Sequence, residues 1–170
     1  HAWGMGGRCW DGILKPLLGH GLRVVTIDHR GCGRSDHDFA DLSIDAIASD
    51  VAALVDELNL ESVILNGWSL GGAVATKAAS LLGSRCSALV LTAGASPIYT
   101  QKPDLPLGGT AEDVAGVVAA MDDDRVTFLA GLANAVCAKP ISDAMLAWMG
   151  DAFIASAARA SSTLGELAHI

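Results

Sequence analysis

The chain has 170 residues and a formal net charge of -8; 51% of its residues are hydrophobic and 18% charged, enough for one globular domain with a substantial core. An acidic balance with no basic patch or stripe argues against nucleic acid and anionic membrane surfaces as partners. Every apolar stretch is broken by glycine, serine or charge well short of the ~20 residues that a membrane-spanning helix needs.

Residues 1–9 are rich in glycine (Gly4, Gly6, Gly7) and read as a loop. Trp10, Ile13, Leu14, Leu17 and Leu18 recur at helical spacing ahead of Gly19 and Gly21, which predicts a short helix over 10–18 despite Pro16. The apolar run 22–27 predicts a strand buried on both faces of a parallel sheet. It leads into Asp28-His29-Arg30-Gly31-Cys32-Gly33-Arg34-Ser35, a turn whose glycines mark backbone that bends or packs closely. Ser43 is placed to cap a helix whose apolar face is Ile44, Ile47, Val51, Leu54, Val55 and Leu58.

A strand over 62–66, the tight turn Gly67-Trp68-Ser69-Leu70-Gly71 and an alanine-rich helix over 73–82 follow, then a strand over 88–92 that ends at Gly94. This alternation implies a parallel sheet with helices on both faces, an α/β class. Such sheets bind ligands at the carboxyl ends of their strands, where Asp28, Ser69 and Ala93 fall. Beyond Pro97 the character changes: residues 99–109, with Pro103, Pro106, Gly108 and Gly109, read as a linker. Three helical stretches with no strand between them come next, at 111–121 behind a Thr110 cap, at 124–137 and at 142–160.

Chemistry concentrates at residues 67–71. A strand-to-helix turn this sharp forces its central residue into strained backbone geometry and needs small residues two before and two after it. Gly67 and Gly71 supply them, and Gly72 adds clearance. Ser69 would then stand above the sheet edge as a nucleophile, with the N–H of Leu70, at the start of the helix, beside it to receive negative charge. A serine hydroxyl does not attack a carbonyl without a base. Of the five histidines, His20 suits a solvated helix end, His29 and His37 border the Asp28 turn, and His169 is penultimate in a helical-looking tail. For each of them a structural reading fits better than a catalytic one.

Asp28 and Arg30 fit a buried turn held by an ion pair and glycines. Asp122, Asp123 and Asp124 point in different directions and suit solvated surface, so no metal site is expected. Cys9, Cys32, Cys86 and Cys137 form no C-x-x-C pair, which favours free thiols in a reducing compartment and a cytoplasmic location. Trp68 beside the serine, with Met145, Trp148 and Met149 at helical spacing near Phe153, are candidates to line an acyl pocket; ordinary core packing fits the helical set as well.

Taken together these motifs resemble the α/β-hydrolase family, in particular its cofactor-free bacterial esterases, perhydrolases and non-haem haloperoxidase-like enzymes. The matching features lie in order within 1–97: His1-Ala2-Trp3-Gly4, similar to the family's H-G-x oxyanion loop; the Asp28–Ser35 stretch, similar to its D-x-R-G-x-G-x-S turn; the G-x-S-x-G elbow; and the apolar strand after it. The resemblance implies a partial α/β-hydrolase core over 1–97, a helical cap over 98–165 and a return to the core over 166–170. It implies the N–H of Trp3 as a second oxyanion donor and a positional role for His1. Ala2 stands where the family has glycine, a change expected to be tolerated.

In that family the third strand ends at the His-Gly pair and lies between the fourth and fifth, while the catalytic acid and histidine follow the seventh and eighth. By this resemblance the chain is an internal fragment, and strands 22–27 and 62–66 would flank a slot unless they pair directly or borrow a strand. The implied function is hydrolysis of small or medium hydrophobic carboxylic esters, without a cofactor. A perhydrolase or carbon–carbon bond hydrolase on the same fold, and a non-catalytic ligand-binding relative or inactive fragment, are the alternatives. For the 170 residues alone, hydrolysis near background is expected.

Overall fold

A computed structural model describes residues 1–95 and 99–157. Its regular elements are α1 (Asp11–Gly19), α2 (Ile44–Glu57), β1 (Val63–Trp68), α3 (Leu70–Leu82), β2 (Cys86–Thr92), α4 (Ala111–Ala135) and α5 (Asp143–Ile154), with 3-10 turns at Gly7–Trp10 and Gly83–Arg85. β1 and β2 pair in parallel from Ile64 beside Ala88 to Trp68 beside Thr92. Among the described residues no helix is long and apolar enough to cross a membrane.

Capping decides where three helices begin. The Ser43 hydroxyl accepts the Ala46 N–H at 3.2 Å, satisfying one of the donors that a helix start leaves open, and α2 runs on to bury Ile44, Ile47, Ala48 and Val55. Thr110 and Asp113 form a reciprocal capping box at the start of α4, and Ser142 accepts the Met145 N–H ahead of α5. α3 buries Gly71, Gly72, Ala73, Ala75 and Ala78 besides Leu70, Val74 and Leu82. Its small residues let it lie close between α2 and the sheet.

The run 22–27 does not join that sheet. It makes no ladder with β1 or β2, and Leu22 and Val25 are exposed. A strand is stabilised by a hydrogen-bonded neighbour beside it, and the local apolar pattern cannot supply one. β2 is likewise exposed along most of its length, with Leu89, Val90 and Leu91 open to solvent.

The helices predicted at 111–121 and 124–137 are one element broken at Asp124, whose φ of -143° and ψ of 83° are not helical. The Asp124 carboxylate accepts the Thr127 N–H at 3.0 Å and so caps the second half. Residues 99–109, predicted as a linker, fold back on themselves: Thr100 bridges Gly109 and Lys102 bridges Leu105. α5 ends at Ile154, short of the predicted 160, and the strand-return segment 166–170 lies outside the described residues. A single hydrophobic cluster joins Trp3, Met5, Ile47, Leu70 and Val74 to Met121, Leu129, Met149 and Phe153, so both halves of the chain share one core.

Candidate active site

Ser69 sits between β1 and α3 with φ 53° and ψ -124°, a left-handed backbone rare for a residue with a Cβ. The surroundings impose it. Its N–H donates to the Thr92 carbonyl at 3.1 Å, and its own carbonyl accepts from Gly72 and from Ala95, each at 2.8 Å. The elbow is thus stitched to the carboxyl end of β2, where Ala93 also has a positive φ of 44°.

The flanking glycines are required by contact with backbone. A Cβ on Gly67 would run into the Gly71 carbonyl, one on Gly71 would lie 2.6 Å from the His1 carbonyl oxygen, and one on Gly72 would lie 2.6 Å from the Gly94 Cα. The second of these presses the N-terminal loop against the start of α3. Leu70 is the first residue of that helix, so its N–H has no acceptor within the helix and belongs to the positive end of the helix dipole.

His1 holds the loop in place. Its Nε2 accepts the His29 N–H at 2.8 Å, which puts the ring proton on Nδ1, where it donates to the Ala2 carbonyl at 2.8 Å. With both ring nitrogens engaged, His1 serves position. The His29 ring stacks on it at 3.7 Å and is buried, which pushes the His29 imidazole well below its ordinary value. Burial likewise pushes the Cys32 thiol up to about 11, and all four cysteines are free.

The Asp28 turn buttresses the same loop. The Asp28 carboxylate accepts the N–H groups of Gly7 (2.6 Å) and Arg34 (3.0 Å), and the Ser35 hydroxyl donates to the Asp28 carbonyl at 2.7 Å. The turn is structural, but the ion pair within it is not between Asp28 and Arg30. Arg30 forks onto Asp50 at 2.6 and 2.7 Å, which raises its pKa, and it covers the Phe39 ring; Asp28 pairs with Arg34, an exposed side chain, at 3.8 Å.

A cleft of ≈ 440 Å³ opens at Ser69, with Trp3, Ala93, Gly94 and Ala95 on one side and Tyr99, Val114, Val117, Phe128 and Leu132 on the other. Its walls are mostly apolar. Asp113 also lines it, but that carboxylate is occupied by the Thr110 N–H (2.7 Å) and hydroxyl (2.8 Å), which hold its pKa down. Trp68, Met145, Trp148 and Met149, the residues read from sequence as an acyl pocket, are not among the lining residues. Trp68 meets Trp10 edge-on at 6.5 Å, Met145 is exposed, and Met149 is buried in the core with Trp148 packed against it. Val114, Val117, Phe128 and Leu132, from either side of the break in α4 at Asp124, line the cleft instead. The sequence predicts the break between the helices at 111–121 and 124–137, but not that residues of both line the cleft.

Among the described residues, no imidazole is hydrogen-bonded to the Ser69 hydroxyl. His20 stands exposed at the end of α1, His37 is exposed beside the Gly33 carbonyl at 3.3 Å, and His169 lies outside the described residues. No cluster of three or more histidine, cysteine or acidic side chains is placed to hold a metal ion among the described residues.

A parallel sheet, a strained serine between strand and helix, and a loop pressed against that helix define an α/β protein of the nucleophile-elbow class. The family described as the alpha/beta hydrolase fold matches residues 1–139, and the chain belongs to it. Among proteins similar to it is the AB hydrolase superfamily protein YisY of Bacillus subtilis, 31% identical over 149 residues, which are 87% of this chain and 56% of that one. A non-heme chloroperoxidase of Streptomyces lividans is 33% identical over 75% of this chain and 47% of its own length. The solved esterase of Exiguobacterium antarcticum superposes with a TM-score of 0.92 at 26% identity, covering 99% of this chain and 63% of that chain. The chain therefore spans about half the length of the curated relatives it matches.

Proposed function

We propose that the full-length protein is a serine hydrolase of small or medium hydrophobic carboxylic esters, with Ser69 as the nucleophile. The observation that carries this reading is the left-handed, non-glycine Ser69 at the mouth of an apolar cleft of ≈ 440 Å³. The esterase among the structural neighbours supports the ester as substrate class. The Ser69 oxygen attacks the carbonyl carbon and its proton passes to an imidazole base supplied by chain outside the described residues. The N–H groups of Leu70 and Trp3 receive the oxyanion, and loss of either donor is expected to cost ~100- to 1000-fold in rate. Collapse breaks the bond to the alcohol oxygen, which takes up the proton and leaves an acyl group on Ser69. Water then attacks that acyl group, giving a proton to the same base, and the acid departs. No cofactor takes part, and the free thiols suit a cytoplasmic enzyme.

The chloroperoxidase relative favours a second reading on the same machinery, in which hydrogen peroxide replaces water at the acyl-enzyme and a peracid leaves. Ser69 is required in both. Turnover of a p-nitrophenyl butyrate by the full-length protein, lost on Ser69→Ala with the fold retained by circular dichroism, is the expected result. Turnover that survives the substitution removes Ser69 from the chemistry, and binding of the ester with no turnover at all would favour a ligand-binding protein.

A further inference from the structure

Arg125 is the first residue after the break in α4, and its side chain is half-buried against the far end of α5. Its guanidinium donates to the carbonyls of Phe153 (3.2 Å) and Ser156 (2.8 Å) and to the Ser156 hydroxyl (2.9 Å), with a longer contact to the Ile154 carbonyl at 3.5 Å. These oxygens lie at the negative end of the helix dipole, where the Phe153 carbonyl also accepts the Ser156 N–H (3.3 Å) and hydroxyl (2.8 Å), and a planar fork of donors suits several such oxygens at once. The kink exists in a form that makes this possible. Asp124 leaves the helical conformation and its carboxylate accepts the Thr127 N–H, and Arg125, the next residue, reaches the end of α5.

The end of α5 is also the outer wall of the oxyanion loop. The Phe153 ring lies 6.4 Å from the Trp3 ring, and a Cβ on Gly4, whose φ is +68°, would meet Phe153 Cδ1 at 3.3 Å and the Ser156 hydroxyl at 3.6 Å. The Ala157 N–H donates to the Gly31 carbonyl at 2.8 Å, tying the same segment to the Asp28 turn. The loop carrying Trp3 is therefore held on one side by His1 and the Asp28 turn, and on the other by the segment that Arg125 fixes.

We infer that Arg125 is a positioning residue for the oxyanion loop: it acts through the end of α5 to hold the Trp3 N–H aimed at the carbonyl oxygen bound at Ser69. It touches no substrate. The inference rests on the proposed role of Ser69 and Trp3, and predicts a loss confined to the chemical step. Misaiming one donor by a fraction of its reach is expected to lower kcat and the rate constant of fluorophosphonate labelling by ~10- to 100-fold, with KM nearly unchanged.

The experiment compares Arg125→Ala, Arg125→Lys and the remote control Arg85→Ala in the full-length protein. Arg85 makes an exposed ion pair with Asp56, so its variant measures the effect of simply losing a surface arginine. The expected order of labelling rates is wild type and Arg85→Ala together, Arg125→Lys lower, and Arg125→Ala lowest, with added methylguanidinium restoring part of the Arg125→Ala rate. A folded Arg125→Ala protein with wild-type labelling and kcat overturns the inference, as does a loss that falls on KM alone. If Arg125→Ala does not fold, Arg125→Lys decides: a wild-type rate there assigns Arg125 to stability only. Labelling that persists in Ser69→Ala would instead defeat the underlying reading of the site, an outcome separate from all of these.

Discussion

Gly67, Gly71 and Gly72 each face backbone atoms rather than a flexible side chain, so a methyl group at any of them has nowhere to go. This is why the elbow was legible from five residues: the need for glycine two before and two after the serine is local, and the sequence states it. The base was illegible for the opposite reason. No imidazole is bonded to the Ser69 hydroxyl among the described residues, and no local spacing rule links the elbow to a base elsewhere in the chain. His1 illustrates the limit, since its role became clear only through the His29 N–H that its Nε2 accepts. His29 itself carries a pH dependence. Burial lowers its pKa, so the unfolded chain takes up a proton below the ordinary imidazole value of about 6.5 while the folded chain resists it. Stability is therefore full above that pH and falls as the solution is acidified through it. Melting temperature measured from pH 8 down to pH 5 should decline, and His29→Phe, which cannot be protonated, should flatten that decline.

Among the elements, the caps at Ser43 and Thr110 are legible in the sequence and the lining of the cleft is not. Ser43 and Thr110 bond to groups three residues on, so the pattern that predicts the cap is also the contact that makes it. Replacing Ser43 with alanine should cost about 1 kcal/mol in a urea unfolding curve, without a change of slope. Met145, Trp148 and Met149 of α5 share helical spacing but do not line the cleft at Ser69, whose lining includes Val114, Val117, Phe128 and Leu132 of α4. Periodicity reports which residues of a helix share a face, but not which helix face meets the cleft. Phe128 is the bulkiest of that wall, and shortening it opens the cleft. Phe128→Ala should shift the preferred p-nitrophenyl ester toward longer acyl chains, read as the ratio of kcat/KM for octanoate to butyrate; an unchanged ratio would take Phe128 out of the acyl site.

For the molecule as a whole, the α/β class, the order of elements and the parallel pairing of β1 with β2 were legible, but the place of the run 22–27 was not. The apolar run 22–27 has the composition of a buried strand and yet stands unpaired, because pairing depends on what lies beside it. Ile64 of β1 and Leu89, Val90 and Leu91 of β2 are exposed, and because side chains alternate along a strand both faces of β2 present apolar surface. Surfaces of this kind bind apolar dyes and favour edge-to-edge association. The 170-residue chain should enhance anilinonaphthalene sulfonate fluorescence, and Val90→Lys should reduce that signal without altering helix content.

The central claim is that Ser69 is the residue that attacks. Intact-mass and peptide mapping of the full-length protein after treatment with a fluorophosphonate tests it directly. The expected result is one phosphonyl adduct on the peptide containing Ser69, absent from Ser69→Ala; an adduct on another residue, or one of equal yield in Ser69→Ala, would contradict it.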